Sequence, residues 1–314
     1  MTERSSTTTA AAGAVMGYFQ ELSNWGRWGS ADRAGTLNHL TPERTAAAAS
    51  RIRSGETVGL ARPVGISRST GPNYLHYMTA SGEAAPPAGA STAGDWFGME
   101  CHGFDITHLD AHAHFFWDGQ MYNGRDASQC TTERGAVFGG IEPWFDGIAG
   151  RGVLVDGPEI RGKAWLEPGE GLGPADLDRW FDEHGLSPEP GDLLFVRTGR
   201  DRWEAEGAQA DAGTANCPGL DASCLPWLAA RQVAVVAGDC TNDALPSGID
   251  TLGMFGPIHA VGLVSMGLWL IDNAALGQLT GRCQKEGRFD FFVSVGPVPL
   301  RRVTGVPVNP IAVF

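Results

Sequence analysis

Four of the chain's eight histidines fall between residues 102 and 114, inside CHGFDITHLDAHAHFFWDG at 101–119. His108, Asp110, His112 and His114 alternate there with Leu109, Ala111 and Ala113. Side chains of an extended segment point to opposite faces in turn, so these four polar groups are expected to share one side. Imidazole and carboxylate together form a common ligand set for Zn²⁺, Mn²⁺ or Fe²⁺. The competing reading is a polar strand face turned to water, which would spend four imidazoles on a bland surface. Asp239 is a second carboxylate of interest, because it ends the apolar run VAVVAG. Carboxylates at the carboxyl ends of strands in α/β folds often face a site; a turn-forming Asp accounts for the pattern equally well.

The elements that must position these groups are partly readable. Thr41-Pro42-Glu43 has the form of a helix N-cap followed by proline at the first helical position, with Gly55 as the stop. Pro174 opens a second helix with Leu177, Trp180 and Phe181 on one face, and Gly185 ends it. A third runs through Leu225, Trp227 and Leu228. Short apolar runs at 152–156, 192–198, 233–238 and 291–296, each bounded by Gly, Pro or Asp, read as strands. Strands alternating with helices in the C-terminal half predict an α/β architecture. Residues 80–94, rich in Ala, Gly, Pro and Ser, read as a surface loop, either a linker or a lid over the histidine motif.

Composition narrows the function classes. With 42% hydrophobic and 19% charged residues over 314 positions, the chain can bury a large core. A formal charge of −13 repels phosphate backbones, so nucleic acid is excluded as a partner. No run of 18 apolar residues is present, so no membrane span is expected. The six cysteines are scattered without a CxxC pair, which fits reduced thiols and a cytoplasmic setting. There is no GxGxxG after a strand, no phosphate-binding GxxxxGK[ST] and no GxSxG elbow. Residues 1–20 are read as a mobile tail rather than a signal peptide, and 21–314 as a single domain.

The motif resembles the cyclase family of metal-dependent hydrolases, the kynurenine-formamidase-like enzymes, whose pattern is His-x-x-x-His-x-Asp-x-x-x-His. Thr107, His108, Asp110, Ala111, His114 and Phe115 fall on it, while Phe104 occupies the place of the first histidine. His102, Asp105 and His112 are the candidates to replace that lost ligand. His102 is favoured, because Gly103 beside it can adopt backbone angles that swing an imidazole inward. Segments 24–40, 119–124, 151–157, 190–199, 233–246 and 259–273 extend the likeness. In the last of these, His259 matches a family histidine and Asp272 stands where glutamate is usual. The resemblance implies a swivelling β/β/α domain with a barrel-like mixed sheet, assembled as a homodimer or homotetramer. It implies a divalent metal, Zn or Mn, held by His108, Asp110, His102 and His259, with His114 and Asp272 as catalytic groups. The implied reaction is attack of an activated water on an amide or lactone bond of a small substrate. Trp25, Trp28, Trp96, Phe97, Phe115, Phe116 and Trp117 could line a pocket for an aromatic or natural-product-like molecule, or serve as core. A cyclase or lyase without hydrolysis, and a metal-free binding relative, are the alternatives.

Overall fold

The structure, a computed structural model, describes residues 13–65, 73–86, 88–207, 216–249 and 256–314. Nine strands form one mixed sheet that curls into a half-barrel. In chain order with the hairpin included, the strands are β1 (Thr57–Gly59), β2 (Tyr74–Ala80), β3 (Gly94–Met99), β4 (His108–Asp110), β5 (Ile148–Asp156), β6 (Leu193–Arg197), β7 (Val235–Gly238), β8 (Trp269–Asp272), β9 (Asp290–Val295), β10 (Gly305–Pro307) and β11 (Ile311–Val313). Across the sheet the order is β1-β11-β9-β5-β6-β7-β8-β4-β10. The four central strands β5 to β8 run parallel. Parallel strands need cover on both faces, which is why their sequences are near-continuous apolar runs instead of alternating ones. Every residue of β6, β7 and β8 is buried.

The helices follow their local signals. Helix α1 covers 13–21, and α2 (Pro42–Ala49) is capped by the Thr41 side chain, which accepts from the Arg44 N–H. Helix α2 ends at Ala49, six residues short of Gly55, because Ser50 to Gly55 are taken up by turns that lead into β1. Helix α3 (Pro174–Glu183) buries Leu177, Trp180 and Phe181 as its spacing predicts. Helices α4 (Cys224–Ala230) and α5 (Gly277–Glu286) complete the main layer. The expected mobile tail of residues 1–20 divides in two. Residues 1–12 lie outside the described residues, whereas 13–20 belong to α1, with Val15 buried in the core and Phe19 stacked on Trp117. That apolar anchoring corrects the tail reading for 13–20.

The segment read as a loop connects β2 and β3, which pair as an antiparallel hairpin apart from the main sheet. Leu75, Tyr77, Met78, Trp96 and Phe97 are exposed on it, so Trp96 and Phe97 line no pocket wall next to the histidines. Among the described residues no helix is long and apolar enough to cross a membrane.

Candidate metal centre

Strand β4 is three residues long, and its alternation sends Leu109 into the core while His108 and Asp110 share the opposite face. It lies antiparallel between β8 and β10, so His108 sits opposite Asp272 and Asp110 opposite Gly305. Asp272 closes β8 at the carboxyl end of the parallel set, next to the loop that follows β7. That is the edge where α/β sheets place their ligands.

Asp110 is the centre of the cluster. It is fully buried, and neither of its oxygens has a hydrogen-bond partner. Around Oδ1 lie His102 Nδ1 at 2.8 Å, His108 Nε2 at 3.4 Å and His114 Nε2 at 3.9 Å. Around Oδ2 lies His259 Nε2 at 3.3 Å, and the same nitrogen is 3.4 Å from Asp272 Oδ2. His102 Nδ1 and Asp110 Oδ1 stand at ion-pair distance without the alignment of a good hydrogen bond. Buried polar atoms without partners are costly, at about 1–3 kcal/mol each. Two donors bonded at ~2.0–2.2 Å to one ion come to lie about 3 Å apart, so these spacings are those of atoms converging on a shared cation. Two triads meet the requirement, His102–His108–Asp110 and Asp110–His259–Asp272, each with its ligand atoms within 4.8 Å of one another. Nitrogen and carboxylate donors fit a transition metal such as Zn²⁺ or Mn²⁺.

The charge balance agrees with that fit. Burial alone would raise the Asp110 carboxyl, but the imidazoles around it, His114 and His108 foremost, hold it well below the carboxylate range. Burial lowers His108, yet the Asp110 carboxylate overcomes it and brings the imidazole up to about 9. His259 is likewise held well above its ordinary value despite burial, first by Asp272 and then by Asp110 and Asp243. A cluster that pulls protons onto two buried imidazoles is one that attracts positive charge, and a divalent ion supplies it. His114 behaves differently: burial brings it down to about 4, so it is a neutral imidazole at neutral pH. Its side chain is 29% exposed, and its ring stacks on His102 at 3.7 Å.

The groups behind the ligands set their tautomers. His108 Nδ1–H donates to the Ile106 carbonyl at 2.7 Å, which leaves Nε2 free to ligate. His259 Nδ1–H donates to Asp243, whose oxygens also accept from the backbone N–H groups of Ile258 and His259. Asn242 Nδ2 donates to Asp272 Oδ1 at 2.6 Å and fixes that carboxylate. Carboxylate–histidine pairs of this kind raise the basicity of the ligand and hold the ring in place. Asp243→Asn is therefore expected to weaken Zn²⁺ binding by about 10- to 100-fold with little change in fold; competition with a chromogenic chelator reads it directly, and an unchanged affinity would remove Asp243 from the site.

The six residues proposed as ligands or catalytic groups come together, and the other candidates do not. His112 leaves the shared face. After Ala111 the chain turns into a 3-10 segment, His112–His114, which rotates His112 away so that its Nε2 meets the Gly267 carbonyl at 2.9 Å beside Trp269 and Tyr122. The expectation that four polar groups line one side thus fails at His112, because strand alternation stops at Ala111. Of the three replacement candidates, His102 is the one whose imidazole lies in the cluster, with Gly103 at φ 132°. Asp105 pairs with Asn73 Nδ2 and joins neither triad. Asp239 lies outside this cluster: it accepts from Thr198 N–H and Oγ–H and from the N–H groups of Gly199 and Arg200, tying down the start of the following helix, and it lines a separate cavity with Arg62 and Arg200. Asp243, Asn242 and Thr304 were not foreseen; the run Thr241-Asn242-Asp243 after a strand carried the only sequence signal. A cavity of about 290 Å³ opens over the cluster, with His114, His259 and Asp272 on its polar wall and Phe104, Phe115 and Leu245 on its apolar one. Of the aromatics proposed as lining, Phe115 holds that place.

Comparison with known proteins gives a consistent picture. A family model described as "Putative cyclase" matches residues 39–242. The crystal structure of a novel cyclase superposes with a TM-score of 0.83 at 29% identity, covering 94% of this chain and 99% of that one. An isatin hydrolase bound to the product analogue thioisatinate gives 0.60 at 17% identity, over 82% and 92%. Isatin hydrolase A from Ralstonia solanacearum gives 0.57 at 18% identity, over 85% and 94%. These last two likenesses concern the fold. No curated protein matches the chain.

Proposed function

Because the chain belongs to the cyclase family, we propose that it is a metal-dependent hydrolase opening an amide or lactone bond in a small, partly aromatic substrate. The observation that carries this reading is the Asp110 carboxylate, buried, unpartnered and ringed by four imidazoles and a second carboxylate. His102, His108 and Asp110 would hold the ion, and His259 and Asp272 extend the ligand set on the other carboxylate oxygen. When bound, a divalent ion polarises a carbonyl and brings the pKa of water toward neutrality.

The protein's own groups do the rest. The neutral imidazole of His114 stands at the rim with Nε2 turned to the cluster, where it can take a proton and return it to the leaving group. Its stack on His102 fixes the ring, so the transfer needs no rotamer search. Asp272, tied by Asn242, keeps its second oxygen toward His259 and the cavity. Phe104, Phe115 and Leu245 hold the apolar part of the substrate and keep water from it.

The deciding experiment is elemental analysis of protein purified without chelator, followed by a panel of N-acyl amides, cyclic amides and lactones. About one equivalent of Zn or Mn per chain, with a product heavier than substrate by one water, is expected. Metal below about a tenth of an equivalent that reconstitution does not raise would remove the hydrolase reading. A product of unchanged mass would replace it with isomerising cyclisation.

A further inference from the structure

His102 reaches the cluster from two residues ahead of the place the motif reserves for a ligand, and the structure holds it there by means that Phe104 could not use. Its Nε2 lies 3.0 Å from the Thr304 hydroxyl. Its ring packs close to the backbone of β10: a Cβ at Gly305 would come within 2.5 Å of His102 Cε1 and 2.9 Å of Nε2. Gly305 has an ordinary backbone conformation, so the ring itself, together with the nearby Leu109 carbonyl, is what leaves no room for a side chain. The loop that carries His102 is clamped as well. Asn273 Nδ2 donates to the carbonyls of Gly103 and Ile106, and the buried Arg200 donates to the carbonyl of Phe104.

We infer that Thr304 is a positioning residue for the metal site: its hydroxyl accepts the proton on His102 Nε2, fixes the tautomer that leaves Nδ1 as the ligand atom, and with the gap at Gly305 makes His102 a ligand. This inference rests on the metal reading above and goes beyond it, since it assigns to β10 a part that the ligand motif does not contain. A histidine shown by its neighbours which nitrogen to protonate loses little on binding an ion, whereas a free imidazole divides between tautomers and rotamers. Leu109 faces the core and Asp110 faces Gly305 across the ladder, so β10 sets the ring's distance from the carboxylate as well as its tautomer.

The test measures Zn²⁺ affinity by chelator competition for the unaltered protein, Thr304→Val, Thr304→Ser and Gly305→Ala, alongside nitrogen-15 NMR of the histidine rings in Zn²⁺-loaded protein. Thr304→Val is expected to weaken Zn²⁺ binding about 10- to 100-fold, with Thr304→Ser restoring it to within about threefold. His102 should be found as the Nε2–H tautomer in the unaltered protein and as a mixture in Thr304→Val. Gly305→Ala should weaken binding at least as much; where that variant does not fold, the two Thr304 variants decide. Affinity unmoved by Thr304→Val, failure of serine to restore it, or His102 protonated on Nδ1 overturns the inference while the metal reading stands. An unaltered protein that takes up no Zn²⁺ overturns both.

Discussion

The Asp110→Asn variant should not take up metal, and its thermal unfolding should be indifferent to added Zn²⁺ or chelator. In the unaltered protein the same comparison should show a large difference. An ion present at about a thousand times its Kd stabilises the folded state by ~4 kcal/mol. At an unfolding entropy of about 2.1 cal/mol/K per residue, that corresponds to a midpoint shift of about 6 °C for 314 residues. Asp110 alone belongs to both triads, so one change removes a ligand from each. An amide keeps the shape but loses the negative charge, and its NH₂ would point a donor at imidazoles that must turn lone pairs inward. Without the ion, the variant also loses the carboxylate that holds His108 and His259 above their ordinary values, so the metal-free protein should be less stable than the original, and the readout is the missing metal-dependent shift. Calorimetry with and without chelator decides the matter. A metal-dependent shift that survives Asp110→Asn would place the ion elsewhere.

The His114→Ala variant should separate chemistry from binding. Metal content should stay at the unaltered level, because His114 belongs to neither triad. On whichever amide or lactone the panel identifies, kcat/KM should fall by about 10²- to 10⁴-fold, the usual contribution of a positioned acid–base group, or ~3–5 kcal/mol of transition-state stabilisation. His114 lies 3.9 Å from Asp110 Oδ1, farther than His102 or His108, and burial brings its imidazole down to about 4 while it faces the cavity. Loss of metal together with activity would make it a ligand. Retention of both would assign the proton transfer to another group.

Much of the site was legible because its core lies in one short stretch whose spacing is itself the geometry. His108 and Asp110 share a face since they are two apart on a strand, and Gly103 announced the bend that brings His102 inward at φ 132°. His112 was misplaced for the opposite reason. Alternation holds only while the backbone stays extended, and nothing in Ala-His-Ala-His marks the turn after Ala111, which is fixed from outside by Gly267 and Gly139. Asp243 could not be read from its neighbours, because its partner His259 is sixteen residues away. Thr304 is farther still, 202 residues from His102. The parallel strands declared themselves as apolar runs. The hairpin β2–β3 did not, because its apolar side chains face water and follow no inside–outside alternation.

The order of the strands in the sheet carries a consequence for how the protein comes to hold an ion at all. Strand β4, with its two ligands, has β10 on one flank, and β1 has only β11 beside it. Both early strands therefore wait for segments made some two hundred residues later. Contacts so distant in the chain close slowly, since the intervening loop entropy must be met before any pairing offsets it. A growing chain that has reached His259 and Asp272 already contains every proposed ligand, yet lacks the strand that seats His102. Half-made, it presents a loose set of imidazoles, and the tight site exists only once residues 304–313 have docked. On the proposed metal reading, uptake of the ion follows completion of the sheet, because only a chain whose last strands have docked seats His102 beside Asp110.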